Sequence, residues 1–153
     1  MYNKASKNII RAEALADLTC RLARSCFDKE TYFAEIYKLT TAEFRCLKLF
    51  QHKDCISIKE LAEQLDLTPG RITHILTSLE KKKYIKRQID DDDRRGINVC
   101  LTKEAHPFIK EINDGHIKLH SEILEFAPED KRDQIIDAMQ ELIKALQLWR
   151  NKN

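Results

Sequence analysis

The stretch from Ser57 to Thr102 constrains the fold more than any other part of the chain, because three patterns follow one another there in fixed order. Leu61, Ala62 and Leu65 form one apolar stripe at helical spacing. After the break Asp66-Leu67-Thr68, a second stripe is formed by Ile72, Ile75, Leu76 and Leu79. A two-strand pattern then runs Tyr84–Ile89 and Ile97–Leu101, joined by Asp90-Asp91-Asp92-Asp93-Arg94-Arg95-Gly96. Helix, tight turn, helix and charged hairpin make a winged helix-turn-helix, a shape that fits the grooves of a duplex.

Cap chemistry sharpens these boundaries. Thr40-Thr41-Ala42-Glu43 matches a capping box, in which the Thr hydroxyl satisfies an early amide while Glu43 reaches back to the cap. Phe44, Leu47 and Phe50 then supply the inner face of a helix. Ser57-Ile58-Lys59-Glu60 repeats the device and predicts a helix from Ile58 to Leu65. Asp66 ends it, since aspartate tolerates the left-handed turn conformation, though less well than glycine. Thr68-Pro69 opens the next helix with a capping hydroxyl and a proline at the first helical position. In the hairpin, Ile85, Ile89, Ile97, Val99 and Leu101 alternate with Lys86, Gln88, Asn98 and Cys100, predicting one packed face and one wet face.

Outside this region the chain reads as helix. The first helix is expected over roughly Asn8 to Tyr37, with Leu15, Leu18, Leu22 and Cys26 at helical spacing. Two more are expected over roughly Lys103–Glu125 and Pro128–Arg150. Phe108, Ile112, Leu119, Ile123 and Phe126 form the apolar set of the first, and Pro107 should distort its start. Ile135, Met139, Leu142, Ile143, Leu146 and Trp149 form that of the second. A small winged helix has its own core and cannot bury all these helices, so they are expected to join two copies of the chain. A helical cap on a monomer is the alternative. The fold class is therefore mainly α with a small β-hairpin wing, the winged helix-turn-helix being flanked by N- and C-terminal dimerisation helices. In residue terms, 1–38 is the N-terminal dimerisation helix, 39–102 the winged helix-turn-helix and 103–153 the C-terminal dimerisation helices, all in one integrated domain.

Composition supports a helical, soluble protein with few long loops: of 153 residues only 3 are glycine and 3 proline, against 34% charged. With no apolar opening run and no membrane-length apolar stretch, the cytoplasm is the expected location and no membrane is a partner. A net charge of +2 is modest, but Arg71, Lys81, Lys82, Lys83, Lys86 and Arg87 crowd one short stretch against Glu80 alone. Such a local basic face can neutralise phosphates even when acidic helices cancel the total. Five cysteines, an odd number without a C-x-x-C pair, argue against a disulfide framework or a zinc finger. There is no glycine-rich phosphate loop, no nucleophile–base pairing and no complete metal triad, so neither an enzyme nor a cofactor is expected.

Over nearly its full length the chain resembles the MarR family of bacterial transcription regulators. The resemblance rests on Leu39-Thr40, on the Ser57–Leu79 helix-turn-helix, and on the wing, where Asp93, Arg95, Leu101 and Thr102 match the family's Asp-x-Arg followed by Leu-Thr. It implies an obligate homodimer presenting two winged helices to a pseudo-palindromic operator in double-stranded DNA. The chain departs from the family at two places. Lys81-Lys82-Lys83 stands where a glycine usually follows the recognition helix, and four consecutive aspartates, Asp90 to Asp93, sit in the wing.

With the apolar stripe of Ile72, Ile75, Leu76 and Leu79 facing inward, the second helix of the motif presents Thr68, Gly70, Arg71, Thr73, His74 and Thr77 outward. Arg71 has the planar fork that reads guanine O6 and N7, and Thr73, His74 and Thr77 suit base edges, thymine methyls or phosphates. Solvated side chains or phosphate contacts are the plainer roles for His74 and Thr77. Gly70 would let the helix N-terminus approach a phosphate closely. On the wing, Arg95 suits a narrow minor groove, Asp93 would orient it, and Arg94 and Lys86 would meet phosphates.

For sensing, a small-molecule effector is the leading expectation, with no pocket residue assigned. A thiol-based alternative would use Cys20 and Cys26, which lie on different sides of the first helix and cannot pair readily within it. Metal sensing would draw on His116 and His120, spaced i and i+4, as weak candidates. The expected function is thus a dimeric DNA-binding transcriptional regulator acting as a repressor released by an effector. A redox-sensing repressor, or a winged-helix protein-interaction module with its basic face on an acidic partner, are the alternatives.

Overall fold

The capping box at Thr40 forms as expected: the Glu43 N–H donates to Thr40 Oγ1 at 3.2 Å, and Thr40 N–H donates to Glu43 Oε2 at 2.8 Å. We describe a computed structural model of the chain, covering residues 4–89 and 96–152. Its elements are α1 (Lys4–Ile36), α2 (Thr41–Lys48) with a 3-10 turn over Leu49–Gln51, β1 (Cys55–Ser57), α3 (Ile58–Leu65), α4 (Pro69–Lys81), β2 (Ile85–Ile89), β3 (Ile97–Leu101), α5 (Ala105–Glu125), a 3-10 turn over Glu129–Lys131, and α6 (Arg132–Arg150). The chain divides into two compact units, Met1–Ile112 and Asn113–Asn153, with the boundary inside α5.

Three helices in the first unit end by one device. Lys38, Asp66 and Lys83 have φ of 54°, 52° and 62°, in the left-handed region. Behind each, the next residue's N–H reaches back to close the last turn: Leu39 to Ala34 O, Leu67 to Ala62 O and Tyr84 to Leu79 O, at 3.0, 3.0 and 3.1 Å. This is the Schellman pattern, in which the following apolar residue folds back onto the helix. The sequence predicts it for Asp66. Lys83 adopts it too, so lysine stands in the conformation that glycine would take at lower cost.

Two cap expectations are corrected. Ser57 accepts from Glu60 N–H at 3.1 Å, but the Glu60 carboxylate turns to Lys53 Nζ at 2.6 Å and Gln64 Nε2 at 2.9 Å, so this box is only half made. Thr68 makes no side-chain cap bond; Pro69, which carries no N–H, begins the helix there. Pro107 lies in the first turn of α5, where amides have no intrahelical partner to lose, and the helix runs from Ala105 to Glu125.

The sheet is larger than the expected hairpin. β1 pairs antiparallel with β3, giving three strands in the order β1-β3-β2. The expected alternation fails at both ends of the hairpin. Ile89 and Ile97, which face each other in register, are exposed, whereas Cys100 is buried instead of wet. Cys100 pairs in register with Cys55 and is bonded to it by a disulfide. That bond departs from the cysteine expectation, which considered only spacing along the chain.

Leu47, Leu61, Ile72, Leu76, Leu79, Val99 and Ile112 are fully buried and form the core of the first unit. Each contributes on the order of 2 kcal/mol by leaving water. At the end of the hairpin, Thr102 Oγ1 donates to Lys83 O at 2.8 Å and accepts from Ala105 N–H at 3.2 Å. One threonine thereby joins the α4 terminus to the start of α5. Phe108 stacks on Tyr84 with centroids 4.4 Å apart. In the second unit α6 buries no residue, and Ile136, Ile143, Leu146, Leu148 and Trp149 are exposed.

Candidate nucleic-acid interface

The four apolar residues of α4 are all buried, so its opposite face is fixed outward. Thr68, Gly70, Arg71, Thr73, His74 and Thr77 are exposed. A Cβ added at Gly70 would meet no atom within 4 Å, so nothing inside the chain requires glycine there. Beside the helix lies a groove of about 340 Å³ lined by Thr40, Glu43, Gly70, Arg71, His74 and Ser78.

Of these polar side chains Thr77 is the least available. Its hydroxyl donates to Thr73 O at 2.9 Å and accepts from Arg87 Nη2, also at 2.9 Å. Arg87 Nη2 donates to Thr73 O as well, at 3.2 Å, and Arg87 Nε lies 3.3 Å from Glu80. The β2 arginine, counted in the sequence among the surface cations, is thus engaged in bracing α4.

Lys82 is occupied in the same way. Its Nζ donates to Glu43 Oε2 at 2.8 Å and to Lys38 O at 3.0 Å. Glu43 is the residue that sequence reasoning assigned to the cap alone. Its carboxylate is 2% exposed and also accepts from Ser78 Oγ at 2.6 Å. Burial by itself would raise its pKa; the Lys82 and Ser78 hydrogen bonds, with the Thr40 amide and the Lys82 charge, outweigh that and hold it below the usual glutamate value. One buried carboxylate therefore ties the start of α2 to the middle and end of α4. The capping-box spelling pointed to Glu43, but two of its carboxylate's partners, Ser78 on Oε1 and Lys82 on Oε2, lie 35 and 39 residues away.

With Lys82 and Arg87 engaged, Arg71, Lys81, Lys83 and Lys86 remain as exposed cations without an ion pair among the described residues. Asp93, Arg94 and Arg95, and with them the aspartate run, lie outside the described residues. Cys20 and Cys26 are exposed thiols on α1, and Cys46 is a buried one whose pKa burial, with the Glu43 charge, pushes up to about 12. His116 and His120 sit together on α5, ring centroids 4.4 Å apart, with His120 Nδ1 donating to His116 O at 2.7 Å. Among the described residues no group of three or more His, Cys, Asp or Glu is placed to hold a metal ion.

Residues 39–97 match the MarR family. The matched segment runs from just before α2 to the start of β3. It is 25% identical over 124 residues to the HTH-type transcriptional regulator SarZ of Staphylococcus haemolyticus, covering 79% of this chain and 81% of that protein. Among solved structures it resembles a cysteine-to-serine mutant of MarR from E. coli, with TM-score 0.73 and 21% identity over 84% of this chain and 96% of that one. It also resembles S. aureus MepR in a complex with DNA, with TM-score 0.69 and 20% identity over 86% and 97% of the two chains. The fold is that of these winged helices, and the chain is similar to transcriptional regulators of the MarR family. The family is one of regulators and not of enzymes.

Proposed function

We infer that the chain is a homodimeric repressor that binds a pseudo-palindromic operator in double-stranded DNA and leaves it on binding a small-molecule effector. The observation that carries the DNA half is the outward face of α4, where Arg71, Thr73 and His74 stand exposed beside the exposed cations Lys81, Lys83 and Lys86. Arg71 reads a guanine in the major groove; Gly70 admits a phosphate to the helix N-terminus; Lys81, Lys83 and Lys86 meet the backbone. Thr77 acts mainly by holding Arg87 and α4 in place, since its hydroxyl is already engaged on both sides. Arg95 enters the minor groove with Asp93 orienting it, and Arg94 contacts phosphate. The solved complex of MepR with DNA supports this reading, since this chain shares that fold.

The dimer half rests on α6, which buries nothing within one chain and yet carries a run of large apolar side chains. Such faces on a soluble regulator are covered by a second copy. Residues 1–38 and 103–153 are accordingly the dimerisation segments and 39–102 the DNA-binding segment. No helix among the described residues is long and apolar enough to cross a membrane, which suits a regulator working on DNA in the cytoplasm.

Footprinting across the region upstream of the chain's own coding sequence tests the proposal. A protected site with two half-sites about 10 base pairs apart is expected. Protection that is indifferent to sequence, or unaltered in Arg71→Ala, overturns the assignment and favours a protein-binding role for the basic face.

A further inference from the structure

We propose that Cys55 and Cys100 are a reversible thiol–disulfide pair that clamps the central strand of the wing to the strand leading into the helix-turn-helix. The pair is separate from Cys20 and Cys26, the thiols that the sequence offered for redox sensing. It sits at facing positions of β1 and β3, with Cα atoms 4.0 Å apart. The Leu101 N–H donates to Asp54 O at 2.9 Å one position away, so Cys55 and Cys100 occupy the closely spaced, non-hydrogen-bonded site of the antiparallel ladder. The backbone therefore holds both sulfur-bearing carbons within bonding reach before any bond forms.

Topology gives the bond its leverage. β3 is the middle strand and carries the wing through its pairing with β2, while β1 is a three-residue edge strand that passes directly into the N-cap of α3. Only three residue pairs join β1 to β3. When the thiols are reduced, that short ladder, the Leu101–Asp54 hydrogen bond, the buried Ile56 side chain and the His106 Nε2 contact to Asp54 at 3.0 Å hold β1 in place without a covalent link. Adding one covalent link to so small an interface changes its rigidity far more than it would change that of a long ladder.

Access is asymmetric in a useful way. Cys55 is exposed and Cys100 is 3% exposed, so an external reagent meets Cys55 first. The reagent class is a low-molecular-weight disulfide such as glutathione disulfide. The Cys55 thiolate attacks one of its sulfurs, forming a mixed disulfide and expelling one thiolate. The Cys100 thiolate then attacks Cys55 Sγ, closing the protein disulfide and expelling the second. Two protein thiols are oxidised, one external disulfide is reduced to two thiols, and the two protons pass to those leaving groups. Cys46 takes no part, because burial keeps its thiol protonated.

The test titrates the full-length protein in buffers of glutathione and glutathione disulfide and reads intact mass, alkylatable thiols and amide exchange. Oxidation is expected to remove two hydrogens and two alkylatable thiols, mapped to Cys55 and Cys100, and to slow exchange in 55–57 and 97–101 several-fold. Dithiothreitol should reverse all three. Cys55→Ser should abolish the change, Cys55→Ala should do the same without a new hydroxyl, and Cys20→Ser with Cys26→Ser should leave it intact. Two alkylatable thiols persisting at Cys55 and Cys100 in glutathione disulfide, a stable glutathione adduct on Cys55, or equal exchange in both states would each overturn the proposal. On the upstream duplex identified by footprinting, the clamped form is expected to bind several-fold more tightly, since less wing motion is lost on docking. If neither form binds that duplex, the DNA-binding reading fails, while the mass and exchange data still decide the clamp.

Discussion

The winged-helix part of the first unit, from α2 to β3, and α6 both carry large apolar side chains but use them in opposite ways. Around α2, α3, α4 and the sheet, every large apolar residue of the recognition helix is buried, three helix ends are closed by left-handed turns, and an ionised carboxylate is held by three donors. Along α6 nothing is buried and its large apolar side chains face outward. The contrast shows that one region is finished by its own chain, whereas the other has an apolar face that only another surface can complete. In the proposed dimer that surface is a second copy, so folding of the DNA-binding region and pairing of the chains are separable.

The strongest test of that separation is Ile143→Asp combined with Leu146→Asp. Removing two apolar side chains and adding charge should raise the dimer dissociation constant by about 100-fold or more, seen as monomer mass in sedimentation, with the winged-helix circular dichroism retained. An unchanged mass would break the comparison. Within the first unit, Leu76→Ala should cost about 3 kcal/mol in urea unfolding, because the cavity it leaves is fully enclosed. Dimer mass should survive that change in native buffer.

Glu43→Gln sharpens the same comparison through pH. The folded-state pKa of Glu43 is depressed, so its contribution is present above the ordinary glutamate value and lost as pH falls through the lowered one. The substituted protein should be roughly 2 kcal/mol less stable at neutral pH, with the gap closing in acid. Parallel stability curves at every pH would mean that the carboxylate's charge contributes nothing. Arg71→Ala should weaken operator binding by roughly 1–3 kcal/mol and relax one base position, with stability unaltered, as competition binding against substituted operators would reveal. The smallest effect is expected from Lys83→Gly, which should raise stability by about 1 kcal/mol by relieving a left-handed lysine. A loss there would mean that the lysine side chain offsets its backbone strain.

What was legible in the sequence was local. The Thr40 box, the Pro69 start, the Asp66 turn and the stripe of Ile72, Ile75, Leu76 and Leu79 are set by contacts within a few residues, and the structure has them where the spelling put them. The outward face of α4 followed from that stripe by geometry alone. Less legible were features that depend on a partner far along the chain. Glu43 looks like a cap until Ser78 and Lys82 arrive, and Arg87 looks like a surface cation until Thr77 and Glu80 are beside it.

The sequence by itself thus determined the helices, the Thr40 capping box and which side of α4 is apolar, because helical periodicity and first-turn chemistry act over three or four residues. Only the tertiary structure decided that β1 lies along β3, that two cysteines 45 residues apart share a rung, and that Lys83 takes the left-handed conformation at the end of α4. Strand pairing and helix docking are chosen by the burial they achieve together, and no short window of residues contains that sum.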